Sequence, residues 1–221
     1  MSVSLSPRLN EVYRRLGGCG CLADVGCDHG KLSVKALQEG ICDRAIATDI
    51  SGASLTKAAY LADRCGVELD CRVGDGLKPL VPHEADVVVI AGMGGKEIVD
   101  ILIEASWRPK RVLLVPHRDA PWVRKYLSLA GYQTKFDTLV KDAGHYYWVI
   151  DAALGEEGRE VIKEQLALSD AALNWYVGKD AALSPSWEEY RTIRLQKLLK
   201  ERSLGSRNPS ALAEMEYLKQ Q

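Results

Sequence analysis

Cys21-Leu22-Ala23-Asp24-Val25-Gly26-Cys27-Asp28-His29-Gly30 is a short apolar run that breaks at a glycine and passes straight into the amphipathic segment Lys31 to Glu39. A run of that length bounded by a turn signal reads as a buried strand, and the apolar spacing after it reads as a helix. Glycine in the turn lets the backbone approach a ligand closely, and the start of the helix offers unpaired N–H groups. Strand, glycine turn and helix in this order open an α/β domain built on a mostly parallel sheet.

The alternation continues toward the C-terminus. Arg44 to Ile50 leads into a helical segment from Ser54 to Cys65, and Leu69 to Val73 is a third strand. Asp86-Val87-Val88-Val89-Ile90-Ala91 is the most apolar and β-branched run, as expected of a central strand covered on both faces, and Lys96 to Ala105 follows it as a helix. Arg111 to Val115 gives a fifth strand and Pro121 to Ala130 a helix ending at Gly131. Thr134 to Val140 and Tyr146 to Ala152 are separated by the short loop Asp142-Ala143-Gly144, which predicts an antiparallel hairpin. The expected architecture is a Rossmann-like α/β fold: five parallel strands and a terminal hairpin, giving a mostly parallel seven-stranded sheet.

Beyond Gly155 the pattern changes to helix formers with apolar residues at helical spacing: Val161, Leu166 and Leu173, then Ile193, Leu195, Leu198 and Leu199, then Leu212, Met215 and Leu218. Ser184-Pro185 and Asn208-Pro209 are helix-start signals. The chain therefore divides into residues 1–154, the ligand-binding α/β domain, and 155–221, a helical domain of two or three helices that includes an antiparallel pair.

Its 221 residues are enough for one such domain and a smaller unit. No apolar run approaches the roughly 20 residues of a membrane span. The segment from Met1 to Leu16 mixes arginines with Glu11 and lacks the apolar stretch of a signal peptide. A cytoplasmic protein without membrane contact is expected. The six cysteines (Cys19, Cys21, Cys27, Cys42, Cys65, Cys71) contain no C-x-x-C pair and read as buried, reduced thiols, with no structural metal. A net charge of −1 speaks against coating nucleic acid by bulk electrostatics, while leaving room for a local basic face.

The glycine turn carries Asp24 and Asp28 and lacks the G-x-G-x-x-G of a dinucleotide site, so a pyrophosphate would be repelled there and a nicotinamide oxidoreductase is disfavoured. A ligand bearing an ammonium and a sulfonium would be attracted, which is the charge pattern of S-adenosylmethionine. Asp49 ends the second strand about 20 residues beyond the turn, where a carboxylate can accept both hydroxyls of a ribose. Gly74-Asp75-Gly76 places a third carboxylate at the same edge, in reach of an adenine amino group. One loop aspartate ordinarily caps a turn; recurrence at three successive strand ends favours a binding rim. Ala91-Gly92-Met93-Gly94-Gly95 supplies a bare backbone wall, with Met93 to pack on the adenine or on the substrate base, and His117 reaches the same edge from the fifth strand.

These residues resemble a known family, the bacterial methyltransferases that modify N1 of adenine 22 in tRNA. The resemblance is carried by Leu5-Ser6-Pro7-Arg8-Leu9, Asp24 to Gly30, Asp49-Ile50, Gly74-Asp75-Gly76-Leu77 and Ile90-Ala91-Gly92-Met93-Gly94-Gly95. It implies a class I methyltransferase domain followed by a coiled-coil-like helical pair, S-adenosylmethionine as cofactor, tRNA as partner and a monomer. It implies a cofactor site of Arg8, Asp24, Gly26, Cys27, Gly30, Asp49, Ile50, Asp75, Gly76, Ala91, Gly92 and Met93, and a substrate side of Lys31, Gly94 and His117. Asp28 is the first candidate for catalysis, accepting from the N6 amino group and stabilising the cationic product, with His29 orienting it; the alternative is that Asp28 holds the methionine moiety of the cofactor. The chain departs from the family pattern at Lys31, where an aromatic Tyr is usual, and at Val115-Pro116-His117, where Gln-Pro-Asn is usual. Arg191, Arg194 and Lys197 recur at three-residue spacing on one expected helix and offer a basic face to RNA, although Glu188, Glu189 and Glu201 interspersed with them also suit a solvated face. Two other readings stay open: a methyltransferase acting on another RNA site or a small molecule, and a cofactor-binding RNA module without catalysis.

Overall fold

The structure, a computed structural model, describes residues 2–156, 158–166 and 175–220. Five strands run parallel: β1 (Cys19–Val25), β2 (Cys42–Asp49), β3 (Asp70–Val73), β4 (Val87–Met93) and β5 (Arg111–Pro116). The crossovers carry α2 (Lys31–Gln38), α3 (Gly52–Cys65) and α4 (Gly95–Glu104). After β5, α5 (Ala120–Leu129) leads to β6 (Tyr132–Asp142) and β7 (His145–Leu154), an antiparallel pair that turns at Ala143 and Gly144, both at positive φ. β7 inserts antiparallel beside β5, giving the order β3-β2-β1-β4-β5-β7-β6. The seven-stranded, mostly parallel sheet expected from the sequence is formed.

Alternation along each strand sorts the core into two layers. Ala23, Val25, Val88, Ile90, Val112 and Leu114 face α4 and α5 with Ile98, Val99, Val123 and Leu127. Leu22, Val87, Val89, Leu113 and Val115 face the opposite layer with Leu32 and Ala36 of α2. That second layer also holds α1 (Pro7–Leu16), which the sequence reading did not anticipate. Its start signal is present: Ser6 is extended and Pro7 occupies the first helical position. Val12 and Leu16 of α1 are fully buried. The guanidinium of Arg111 donates to the carbonyls of Arg15 and Leu16 and pairs with Asp151 at 2.8 Å, which satisfies the open carbonyl end of α1 from the sheet.

After β7 the chain forms 3₁₀ turns at Lys163–Leu166 and Ala181–Leu183, then α6 (Trp187–Ser203) and α7 (Pro209–Gln220). The first of the expected helices is corrected over its described part: Val161 and Leu166 are buried, yet from irregular and 3₁₀ backbone, while Leu173 lies outside the described residues. The start expected at Ser184-Pro185 falls instead at Trp187. Ser184 is used otherwise, donating from Oγ to the carbonyl of Leu139 at 2.6 Å and accepting from the N–H of Ser186. α7 begins at Pro209 as its signal predicts, with Asn208 Oδ1 accepting from the N–H of Ser210. α6 and α7 run antiparallel, tied by Arg194 to Glu214 and by Arg191 to the carbonyl of Leu218. Their buried Trp187, Leu198, Met215 and Leu218 join the layer that contains Trp148 and Ile150 of β7.

All six cysteines are free thiols; Cys21, Cys27 and Cys42 are buried, and Cys19, Cys65 and Cys71 are half-buried. Among the described residues no helix is long and apolar enough to cross a membrane, and no group of three or more His, Cys, Asp or Glu is placed to hold a metal ion.

Candidate active site

Strand order reverses at β1: the chain steps outward from β1 to β2 and β3, then returns to place β4 on the other side. In an open α/β sheet the loops beyond the carboxyl ends of strands part at such a reversal and leave a crevice. The crevice is present. Two clefts of about 420 and 520 Å³ lie over the ends of β1 and β4 and share Gly26 and Gly92 as common wall.

The glycine turn is held by backbone bonds. The N–H groups of Gly26 and Cys27 both donate to the carbonyl of Thr48 on β2, and Gly30 N–H donates to Cys27 O. Gly26, Asp28 and Gly30 adopt positive φ, so three of five consecutive backbone positions are left-handed. A side chain at Gly26 would also collide with Met93, whose Cε stands 2.2 Å from the place a Cβ would occupy. Gly30 is closed in the same way by Ala58 at 2.8 Å, so it fixes α2 against α3.

The first cleft is lined by Arg8 and Leu9 of α1, Asp24, Gly26, Cys27, Asp28, His29, Lys31, Ala91, Gly92 and His117. Asp24 is buried and accepts a 2.9 Å bond from Ser33 Oγ. Burial pushes its carboxyl up to about 6 against the opposing bond from Ser33, and Asp49 adds to the rise. Asp28 is exposed, and its Oδ2 lies 2.7 Å from Nδ1 of His29. His117 packs edge-on against Tyr147, with ring centroids 5.4 Å apart, and Arg8 lies over the other side of this cluster, 4.7 Å from the Tyr147 ring centre. Burial holds the His117 imidazole below its ordinary range, as does the neighbouring Arg8 cation, so it is neutral at neutral pH. The Cys27 thiol is pushed up by burial and by Asp24 and Asp49, which leaves it protonated and unreactive.

The second cleft carries Asp49, Ile50, Asp75, Gly76, Gly92 and Met93, together with Gly74, Glu97 and Ile101. Asp49 closes β2 and is oriented by two backbone donors, Asp28 N–H at 3.3 Å and Ser51 N–H at 2.8 Å. Ile50 next to it is 76% exposed, an apolar side chain left open on the rim. Asp75 is exposed and pairs with Lys78.

The donor set fits S-adenosylmethionine. The buried Asp24 carboxylate suits an ammonium, and Ser6 Oγ is buried without a hydrogen-bond partner among the described residues, which leaves a donor for a carboxylate; Arg8, whose Nε lies 3.7 Å from Asp142 Oδ2, brings its cation to the same cleft. Asp49 suits ribose hydroxyls, and Ile50 and Met93 offer apolar faces to a purine. The structure thus gathers all the expected cleft residues at one edge except Gly30 and Gly94, which line neither cleft; Gly94 packs against Arg118 and Glu97. Arg191, Arg194 and Lys197 also line neither cleft. Arg194 is bound bidentately to the buried Glu214 at 2.6 and 2.7 Å, and Arg191 to Glu188, whereas Lys197 is exposed. Ser33, Tyr147 and Glu97 were missed by sequence reasoning. Glu97 accepts from Gly94 N–H at 2.7 Å, which its place three residues beyond Gly94 could have signalled; Tyr147 arrives from a distant strand and left no local signal.

Fold and clefts together define a class I methyltransferase, and the family model described as a methyltransferase domain matches residues 5–150, so the chain belongs to that family. Among characterised proteins it is similar to the tRNA (adenine(22)-N(1))-methyltransferase of Bacillus subtilis, 29% identical over 176 residues that span 77% of this chain and 73% of that protein. The crystal structure of the B. subtilis m1A22 tRNA methyltransferase TrmK superposes with a TM-score of 0.80 at 24% identity, covering 99% of each chain. M. capricolum TrmK in complex with S-adenosylhomocysteine superposes at 0.78 and 20% identity, covering 98% of this chain and 96% of that one. At these identities the superpositions show a common fold, C-terminal segment included.

Proposed function

We propose that this chain is an S-adenosylmethionine-dependent tRNA methyltransferase that modifies N1 of adenine 22 in the cytoplasm, acting as a monomer. The observation that carries the reading is the pair of clefts joined at Gly26 and Gly92: one suits an adenosine, the other sets a buried carboxylate and a polar rim beside the joint. When bound, S-adenosylmethionine supplies an electrophilic methyl on a sulfonium centre. Asp49 holds the ribose, Asp24 and Arg8 hold the amino acid end, and the bare backbone of Gly26 and Gly92 leaves room at the joint. The target adenine must leave its stack to enter the first cleft. Its N1 lone pair is free near neutral pH, so no strong base is needed, and the positive charge that arrives with the methyl spreads over the base. Asp28, steadied by His29 at 2.7 Å, accepts from the N6 amino group and stabilises that charge. Residues 1–154 carry this chemistry, and 155–221 contact RNA, with Lys197 as an exposed cation on α6.

The test is transfer of labelled methyl to unmodified tRNA transcripts carrying adenine or guanine at position 22. Labelling of the adenine transcript alone is expected. Cofactor binding with no labelling of either transcript would overturn the assignment and favour a different methyl acceptor.

A further inference from the structure

A third cleft, of about 550 Å³, runs beside the first and shares His29 and Lys31 with it. Its other wall is the outer face of α3, through Thr56, Lys57, Tyr60 and Leu61. Methyl transfer itself calls on none of the four α3 residues.

The helix explains what is displayed there. α3 turns Leu55, Ala58 and Ala62 into the core, which places Lys57, Tyr60 and Arg64 on the solvent side at spacings of three and four residues. Tyr60 is 62% exposed, so its ring face is open to solvent along this wall. Arg64 sits 5.8 Å from its ring centre. Lys57 and Lys31 make no ion pair among the described residues, unlike Arg191 and Arg194 on α6, which are bound to glutamates. Asp28, which lines the first cleft beside Lys31, is engaged by His29. An exposed ring flanked by unneutralised cations is the arrangement that binds single-stranded nucleic acid, the ring stacking on a base and the cations meeting phosphates.

We propose that this face of α3 is an RNA subsite in which Tyr60 stacks on a nucleotide next to the extruded adenine, while Lys57 and Lys31 hold the flanking phosphates. The proposal rests on the tRNA reading above. Stacking on Tyr60 keeps the strand from closing over the gap left by the target, and the cleft shared through His29 and Lys31 leads the base from the stack to the methyl donor.

The test uses the full chain with an unmodified tRNA transcript. Stacking on one base is worth about 1–3 kcal/mol, so Tyr60→Ala is expected to raise KM for tRNA about 5- to 150-fold. Tyr60→Phe, which keeps the ring, stays near the starting value, and calorimetric affinity for S-adenosylmethionine is unchanged in both. Lys57→Ala lowers the salt dependence of tRNA binding by about one phosphate contact. An unchanged KM in Tyr60→Ala, with adenine 22 still methylated, overturns the subsite and leaves the tRNA reading standing. Loss of cofactor affinity in Tyr60→Ala, or equal loss of tRNA affinity in Tyr60→Phe, assigns the ring a structural part and likewise overturns it. An unsubstituted protein that binds cofactor and no tRNA overturns both.

Discussion

Asp24 has its carboxyl raised to about 6, chiefly because it is buried, against the hydrogen bond from Ser33. The folded state therefore holds its proton more tightly than the unfolded chain does, where an aspartate titrates near 4. From that difference, ionising Asp24 costs the fold stability progressively as pH rises from about 4 to about 6, and the cost is relieved below that window. A cation placed beside the carboxylate reverses the preference. Affinity for S-adenosylmethionine is accordingly expected to weaken as pH falls through about 6, because protons compete for the same group. Asp24→Asn should bind the cofactor at least tenfold more weakly at pH 7.5, lose that pH dependence and melt at a higher temperature than the unsubstituted apo protein. Calorimetric titrations at several pH values, with a melting curve at each, check all three; a steeper pH dependence in the variant would sink the assignment. That Asp24 is acidic and ends a strand was legible in the sequence. Its burial and its partner Ser33 were not, since both depend on how α2 folds back over β1.

At the level of elements, the three-residue spacing of Arg191, Arg194 and Lys197 correctly places them on one helix, but their tasks are set by α7, whose register against α6 no local pattern encodes. Arg194 meets Glu214, which is buried, and the pair fastens the two helices. Lys197 is exposed on α6. Removing Arg194 strands a buried carboxylate, which costs about 1–3 kcal/mol or more for a charged group. Arg194→Ala is thus expected to lower the melting temperature by several degrees, at about 2–4 °C per kcal/mol for a chain of this size. Lys197→Ala should leave it within a degree and instead reduce the slope of tRNA affinity against salt. Thermal melts and binding titrations at three salt concentrations separate the two; equal melting temperatures would show that the ion pair contributes nothing. The same reasoning explains where sequence reading of elements succeeded and failed. The strands and crossover helices announce themselves by local period and turn residues, and each was found within a few residues. The Val161–Leu166 segment carries apolar residues at helical spacing because the sheet layer needs them buried, and 3₁₀ and irregular backbone bury them equally well. Ser184 illustrates the converse, a start signal diverted to a bond with β6.

Across the whole molecule, one of the ties between the sheet and the stretch after β7 is built on a buried ion pair. Arg124 of α5 and Asp137 of β6 are 5% and 3% exposed and meet bidentately at 2.6 and 3.0 Å. Arg124 also donates to the carbonyl of Trp175 and lies 4.4 Å from the Trp148 ring centre. Asp137 N–H donates to Asp180 Oδ2, and Asp180 N–H returns a bond to the Asp137 carbonyl. Gly178 lies so close to Asp137 that a Cβ there would come within 2.3 Å of its carboxylate. Residues 175–180 are thereby attached to the same two charges that lock α5 onto β6. Breaking a buried pair by removing one partner costs about 3–5 kcal/mol, because the other charge stays behind in a poorly polar site. Replacing both by apolar residues of similar volume costs far less. Asp137→Ala is therefore expected to lower unfolding free energy by about 3–5 kcal/mol, and the double change Arg124→Met with Asp137→Leu to recover much of it. Because the pair that locks α5 onto β6 also holds Trp175 and Asp180, both variants should unfold in a single transition, by far-UV dichroism and by tryptophan fluorescence together. Coincident curves with that ranking would mean the C-terminal helices share the stability of the methyltransferase sheet through Arg124 and Asp137. Separate transitions in the unsubstituted protein would mean that the ion pair closes a local joint and that α6 and α7 fold on their own account.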